Sequence, residues 1–430
     1  MALPLLPTVA NGLLMAETNE SWDQYYVDYA LGVDGAGVAG TRVAPWKTVK
    51  VAMESRLGAG GSHDHNGVAA ILNVRNASQQ YGDQAPGTNI SLGSSASTTQ
   101  AQGGTLSQPW VVRTDPQDFP NAAQDSANQA WINVHLTINS TMNFVRFERL
   151  RFGGPNVTAF DNPQGAGCNF IHLKYCSFHH MVQNGPQWIS NGLRFPSNCG
   201  TWSCSIHDGG NDTTGPAHDH GIYVGSGSIP GAADCFSVND VIHDMTGSGI
   251  QMYEKATRML IANTTIVHTC YPSAVDPRWG IIVAGDGATN FSNDCLIINT
   301  LITNIAANGS TAYGIGLDSL VGATIPNHAH HNGFFANAVN MDTVAGDGYP
   351  AGMIYDGNDV LADPQFVNAA AFNYRLLPGS PMIGKASSAY LPSTDFDGKT
   401  RITADIGAFA ADDPGIPSRR IPLFAGRRGS

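Results

Sequence analysis

The densest run of ionisable side chains in the sequence is His218-Asp219-His220, with Tyr223 three residues beyond it. An imidazole beside a phenol can serve as base and acid. With a cation added, the set matches what β-elimination from a uronic acid requires: a base for the C5 proton, an acid for the leaving oxygen and a positive charge against the carboxylate. The sequence offers His220 as base, Tyr223 as acid, Arg194 as cation and Lys255 as a second basic group, with Arg258, Asp276 and Arg278 in the turns that follow. Inverting hydrolysis would instead need two carboxylates about 6.5–9.5 Å apart. Only Asp219 stands clearly on this stretch; Asp276 and Asp318 lie further along. The pattern favours elimination over hydrolysis, and the plainer alternative is that His218-Asp219-His220 is an ordinary polar turn.

Residues this far apart in the chain meet only if a repeated element stacks them. Such an element is present. A phrase of Gly, aliphatic, variable residue and apolar residue recurs as Gly192-Leu193-Arg194-Phe195, Gly221-Ile222-Tyr223-Val224, Gly249-Ile250-Gln251-Met252, Gly280-Ile281-Ile282-Val283 and Gly314-Ile315-Gly316-Leu317. A second phrase follows each one: Val238-Asn239 with Ile242, Ala262-Asn263 with Ile266, Ile298-Asn299 with Ile302, and His331-Asn332 with Phe335; an earlier copy puts Ser203 in the Asn slot. Alternating, β-branched phrases are strands. Two or three short strands per repeat, without helical runs, predict a solenoid of one coil per repeat, whose phrases stack into parallel sheets.

The register orders the side chains. Cys199, Cys235, Met259 and Cys295 form one inward column, and Thr201, Ser237, Ile261 and Ile297 another. Asn239, Asn263, Asn299 and Asn332 are expected to be buried as a structural ladder, each amide bonding the next. In the glycine phrases the variable residue faces outward. Asn191, Gln251, Tyr253, Arg278 and Trp279 then join Arg194 and Tyr223 on one outer face, a mixture of aromatic, amide and basic groups that suits sugar rings and hydroxyls. Its bland alternative is a solvated sheet face.

On these phrases the chain resembles right-handed parallel β-helix proteins of the pectate-lyase-like superfamily. Both ends agree: Tyr25-Tyr26-Val27-Asp28 and Ala44-Pro45-Trp46-Lys47-Thr48 at the start, Asp363-Pro364-Gln365-Phe366-Val367, Tyr374-Arg375-Leu376, Pro378-Gly379-Ser380-Pro381 and Asp405-Ile406-Gly407-Ala408-Phe409 at the close. The resemblance spans roughly residues 22 to 410 and implies an all-β, single-stranded right-handed parallel β-helix. It implies carbohydrate as the partner class without choosing among lyases, hydrolases, epimerases, tailspikes and structural proteins. Lyases of the superfamily often use Ca²⁺ held by clustered carboxylates. No such cluster falls on one rung, so Ca²⁺ has no support and no cofactor is expected.

Within that frame, residues 1–24 read as a lead segment and 25–130 as a cap helix (Thr48 to Leu57) with irregular first coils, including a surface loop from Ser91 to Gln108. Regular coils are expected over 131–340, closing strands over 341–411 and a basic, Pro-rich tail over 412–430, with Arg419, Arg420, Arg427 and Arg428. A net charge of −12 argues against nucleic acid, and no apolar run is long enough for a membrane span. His63-Asp64-His65 and His328-Ala329-His330-His331 lack the Cys or carboxylate partners of a structural zinc site. The start, Met1 to Pro7, makes a poor secretion signal, and seven Cys without framework spacing read as free core thiols. Two functions are consistent with this. One is a component of a virion or similar assembly, a homotrimeric spike, fibre or decoration protein facing host surface polysaccharide and assembled in the host cytoplasm. The other is a free polysaccharide lyase acting on an acidic polysaccharide, exported without a recognisable signal.

Overall fold

The computed structural model describes residues 15–35, 37–56, 68–76, 90–92, 102–118, 128–133, 135–138, 142–153, 160–162, 168–181, 185–190, 196–210, 219–226, 231–269, 278–286, 290–305, 311–318, 320, 325–342, 353–355 and 357–411. Their strands form parallel sheets of twelve, nine and nine strands, plus one antiparallel pair near the end. Each coil contributes one strand to each large sheet, in the order first, second, third. The chain is a right-handed parallel β-helix.

The inward columns explain the stacking. Ile222, Ile250, Ile281 and Ile315 pair in turn, as do Val224, Met252, Val283 and Leu317 one step on. They belong to one continuous core, with Leu317 at its margin. The glycines that open these strands are required by close approach. A Cβ on Gly249 would lie 2.7 Å from the Gly280 carbonyl oxygen and 2.6 Å from Ile266 Cγ2, and the same crowding recurs at Gly221, Gly280 and Gly314.

The turn from first to second sheet is a single left-handed residue: Arg149, Tyr175, Ser203, Asn239, Asn263, Asn299 and His331 all have φ between 51° and 58°. Asn tolerates that conformation, which explains its recurrence. The pairing corrects the sequence register at one position. Ile298 pairs with His330, so His331 takes the Asn slot and Asn332 follows it. All four asparagines are fully buried, but of their described bonds only one joins neighbouring amides, Asn299 Nδ2 to Asn263 Oδ1 at 3.3 Å. The others run mainly to the C-terminal segment: Asn239 to the Thr394 carbonyl, Asn263 to that of Asp405 and Asn299 to that of Ser387. Asn332 donates instead to the Ile297 carbonyl of the preceding coil.

A second correction concerns the first glycine phrase. Gln187 pairs with Tyr223 and Trp188 with Val224, so the strand before Ile222–Ser226 in the third sheet is Pro186–Ser190, opened by Gly185. Gly192-Leu193-Arg194-Phe195, expected in that place, lies outside the described residues. Pro186 and Trp188 fill the apolar slots, which hid the true phrase.

The stack begins well before residue 131. Asp23–Val27, Ala70–Val74 and Trp110–Thr114 pair in full register as the start of the first sheet. The stretch expected as a surface loop carries strands at Ile90–Leu92, in the third sheet, and at Gln102–Gly103, paired with Met142–Glu148. A helix spans Val49–Arg56; Val49, Ala52 and Met53 enter the core, near the Ile90–Leu92 strand that ends the third sheet.

Both described ends fold back over the solenoid. Residues 15–20 cross the first sheet: Glu20 takes two 2.6 Å bonds from Arg113, Ala16 accepts from Arg146 and Glu17 from Lys174. Further along that sheet, Phe236, Leu260 and Leu296 are buried with Tyr390 and Ala389 packed against them. The segment from Phe366 to Ala411 covers the second sheet, seating Tyr374, Phe396 and Phe409 on Val241 and Val267, and Leu376, Met382 and Ile406 on Leu301. The arginine-bearing tail from 412 and the first 14 residues lie outside the described residues.

Candidate functional site

With the first two sheets overlaid by the chain's own ends, the outer face of the third carries the half-buried polar and aromatic residues. Its central column runs Gln187, Tyr223, Gln251, Ile282, Gly316. At about 4.8 Å per coil, five positions span roughly 19 Å. Two residues on, a second outward column runs Gly225, Tyr253, Ala284, Asp318. Trp279 closes the far end: its indole lies over Gly316, where a Cβ would sit 1.6 Å from Trp279 Cδ1.

Tyr223 stands over His220, whose ring stacks on it with centroids 5.8 Å apart. His220 is 3% exposed. Its Nδ1 accepts the Ser248 N–H at 3.2 Å, placing the proton of the neutral imidazole on Nε2. His220 thus supports Tyr223 from below, where sequence register had set it beside Tyr223 on the open face. Burial first, then Glu254 and Tyr253, push the Tyr223 phenol above its ordinary range. It stays protonated and donates. Asp219 is fully buried and accepts from the Thr246 hydroxyl at 3.1 Å.

The remaining predicted residues fall partly within and partly outside the described stretches. Gln251 and Tyr253 share the outer face of Ile250–Tyr253. Lys255 stands in the turn toward the first sheet at φ 58°, its backbone against Gly231. Arg278 pairs with Ala312 in the strand register. Asn191, Arg194 and His218 lie outside the described residues, and the pairing gives Gln187, not Arg194, the place beside Tyr223. Base and acid candidates, His220 and Tyr223, are thus brought together, and the cation candidate Arg194 falls outside the described residues.

Carboxylates act on Tyr253, further along the same face. Tyr253 is raised by burial, by a hydrogen-bonded Glu254, and by Asp318 and Asp286. Asp286 is itself fixed by the Asn290 backbone and side-chain amides at 2.9 and 2.7 Å. Among the described residues no three His, Cys, Asp or Glu are grouped to hold a metal ion. His63-Asp64-His65 falls outside the described residues; His328 and His330 are buried.

Sequence reading missed an array on the second sheet. His179, His207 and His243 pair in register, and the last two rings lie 4.9 Å apart and 2° from parallel. The next column is His180, Asp208, Asp244, His268, all left-handed. Asp244 bridges His243 Nδ1 at 2.8 Å and His268 Nδ1 at 2.5 Å. Phe372 stacks on His243 at 4.9 Å. The spacings of 28 and 36 residues between these histidines are coil lengths, so the register could have found them.

Neither a family model nor a curated protein matches the sequence. Among solved structures, a rhamnogalacturonan lyase aligns with TM-score 0.50 at 12% identity, over 85% of this chain and 97% of that one. The two share the right-handed parallel β-helix fold. Pectate lyase Pel9A aligns over 91% of this chain and 98% of that one, with TM-score 0.49 and 12% identity. At such identity the likeness is one of architecture alone, and chemistry must come from the site.

Proposed function

We propose that this β-helix engages polysaccharide through the outer face of its third sheet. The carrying observation is that, among the described residues, the two chain ends overlay the other sheets and not this face, lined by Gln187, Tyr223, Gln251, Tyr253 and Trp279. Aromatic rings supply apolar area for sugar faces, and amides and phenols supply hydrogen bonds to hydroxyls. The name of the rhamnogalacturonan lyase that shares the architecture supports this substrate class. Of the two finer readings, we favour a binding component of a virion spike or similar assembly, built as a homotrimer, over a free lyase. The favouring observation is that His220 is buried beneath Tyr223 with its Nδ1 taken by the Ser248 N–H, which withdraws the candidate base from the face.

Affinity electrophoresis through gels cast with a panel of polysaccharides tests the core proposal. Retardation by at least one glycan, lost in Gln251→Ala/Tyr253→Ala, supports it. Retardation unchanged in that variant overturns it. Light scattering tests the trimer, and absorbance from an unsaturated product on uronate polymers would restore the lyase.

A further inference from the structure

The first coils of the second sheet lie ahead of the part that the C-terminal segment covers. That segment seats Tyr374 on Val241 and Phe372 on His243. The pairing puts Arg151 three coils before Val241, at about 4.8 Å a coil. There Trp131 and Arg151 pair on the outer face, and the guanidinium carbon lies 4.1 Å from the centre of the indole. Arg75, Arg113, Arg146, Arg258 and Arg375 each meet a carboxylate. Among the described residues Arg151 meets none: its partners are Trp131 and His179, whose Nε2 accepts from Arg151 Nε. A guanidinium only donates, so His179 keeps the Nε2 lone pair and carries its proton on Nδ1. Burial first, then the charge of Arg151, hold His179 well below its ordinary value and therefore neutral. Its Nδ1–H donates to His180 Nδ1 at 2.8 Å, which leaves the proton of a neutral His180 on Nε2. His180 is exposed at a left-handed corner, φ 53°. This relay ends in donors alone, the Arg151 Nη1 and Nη2 groups and the His180 Nε2–H. Asp208, in the same corner column one coil on, already accepts from His207 Nδ1 at 2.9 Å.

We propose that Arg151 and His180, beside Trp131, form a second binding site, for the carboxylate or sulfate of an acidic sugar unit. The planar Nη1–Nη2 edge of a guanidinium takes two oxygens of one anion at once, and such charge-assisted pairs are the stronger hydrogen bonds. His180 adds a third donor. The half-buried Trp131 supplies apolar area for the ring that bears the anion. His179 touches no ligand; it positions the site by fixing the Arg151 fork and choosing the His180 tautomer. That the anion is carried on a sugar rests on the polysaccharide reading above, whereas the preference for an oxyanion rests on these donors.

The test is titration calorimetry of the full chain with a galacturonate trisaccharide, a sulfated galactose trisaccharide, neutral maltotriose and inorganic sulfate. At least one acidic trisaccharide should bind roughly tenfold or more tighter than maltotriose, and more weakly as salt rises. The galacturonate responding alone assigns a carboxylate, and the sulfated sugar responding alone a sulfate ester. In Arg151→Gln, shown to be folded by circular dichroism, that affinity should fall by roughly tenfold or more. His180→Asn keeps a residue that tolerates the left-handed corner and should weaken binding by a smaller factor. Retardation of Arg151→Gln by a neutral polymer at the third face should match the wild type. Unchanged acidic-sugar affinity in folded Arg151→Gln overturns the site. Inorganic sulfate binding as tightly as the trisaccharides overturns its assignment to a sugar. Binding of no acidic trisaccharide by the wild type overturns the site and leaves the third face to its own gel test.

Discussion

Asp240 sits inside the solenoid, fully buried, where the Thr201 and Ser237 hydroxyls donate to Oδ2 and the Cys204 N–H donates to Oδ1. Burial outweighs these bonds and lifts its carboxyl to about 7. The unfolded carboxyl titrates near 3.8, so between these values the folded state holds a proton that the unfolded state has lost. Stability from this group is full below the unfolded value and declines as pH rises through the folded one. At about 1.36 kcal/mol per unit, the wild type should lose on the order of 3 kcal/mol between pH 5 and pH 8 through this residue alone. Asp240→Asn removes the titration and keeps the shape: the amide oxygen accepts from Cys204 and the NH₂ donates to the two hydroxyls, which rotate to accept. Urea unfolding of both proteins at pH 5, 6, 7 and 8 reads the difference, with m compared to confirm that the same surface unfolds. The stability of Asp240→Asn relative to wild type should rise by on the order of 3 kcal/mol across that range. A difference independent of pH would refute the reasoning.

Asn299→Ala should cost about 3 kcal/mol: about 1 for the left-handed backbone, and about 2 for the lost pair with Ser387, whose N–H donates to Oδ1 at 2.7 Å and whose carbonyl accepts at 3.0 Å. Asn299→Gly should cost less, and proteolysis within 377–411 should accelerate in the same order. On the second sheet, burial holds His243 below its ordinary value, whereas the His243 and His268 bonds outweigh burial and hold Asp244 low. A His neutral when folded and an Asp ionised when folded both lose stability as pH falls, His243 below about 6.5 and Asp244 below about 3.8. Protease protection around Phe372 should therefore drop on acidification from pH 7 to 5, and His243→Gln should flatten that dependence. Gly249→Val, with its Cβ against the Gly280 carbonyl and Ile266, should destabilise by at least 1–3 kcal/mol, roughly the overpacking range, as read by thermal melting. The six described cysteines are buried and form no disulfide, and burial pushes Cys295 up to about 12. Ellman's reagent should leave them unmodified until the protein is denatured.

The architecture was legible because a coil must place the same residue types at the same turn. Gly221, Gly249, Gly280 and Gly314 are fixed by backbone approach, and Asn239, Asn263 and Asn299 by a left-handed φ; both constraints write themselves into sequence. Register failed where the constraint admits substitutes. His331 satisfies the left-handed turn as Asn does, and Pro186 with Trp188 satisfies the inward slots as aliphatics do. The folded-back ends were illegible for a different reason: residues 15–20 and 366–411 make each contact once, through Glu20 with Arg113 or Tyr374 with His243, and a contact made once leaves no period. The outer-face residues Gln251, Tyr253 and Trp279 were found because register alone places them. The buried position of His220 depends on how the chain enters the Gly221 strand, which alternation cannot specify.

On the proposed function the third sheet is the working face. Hydrogen exchange measured with and without a bound oligosaccharide from a retarding polymer tests it directly. Protection should concentrate in Pro186–Ser190, Ile222–Ser226, Ile250–Tyr253, Arg278–Ala284 and Ala312–Asp318. Protection confined to strands of the first or second sheet, or to the 366–411 segment laid over them, would contradict the account.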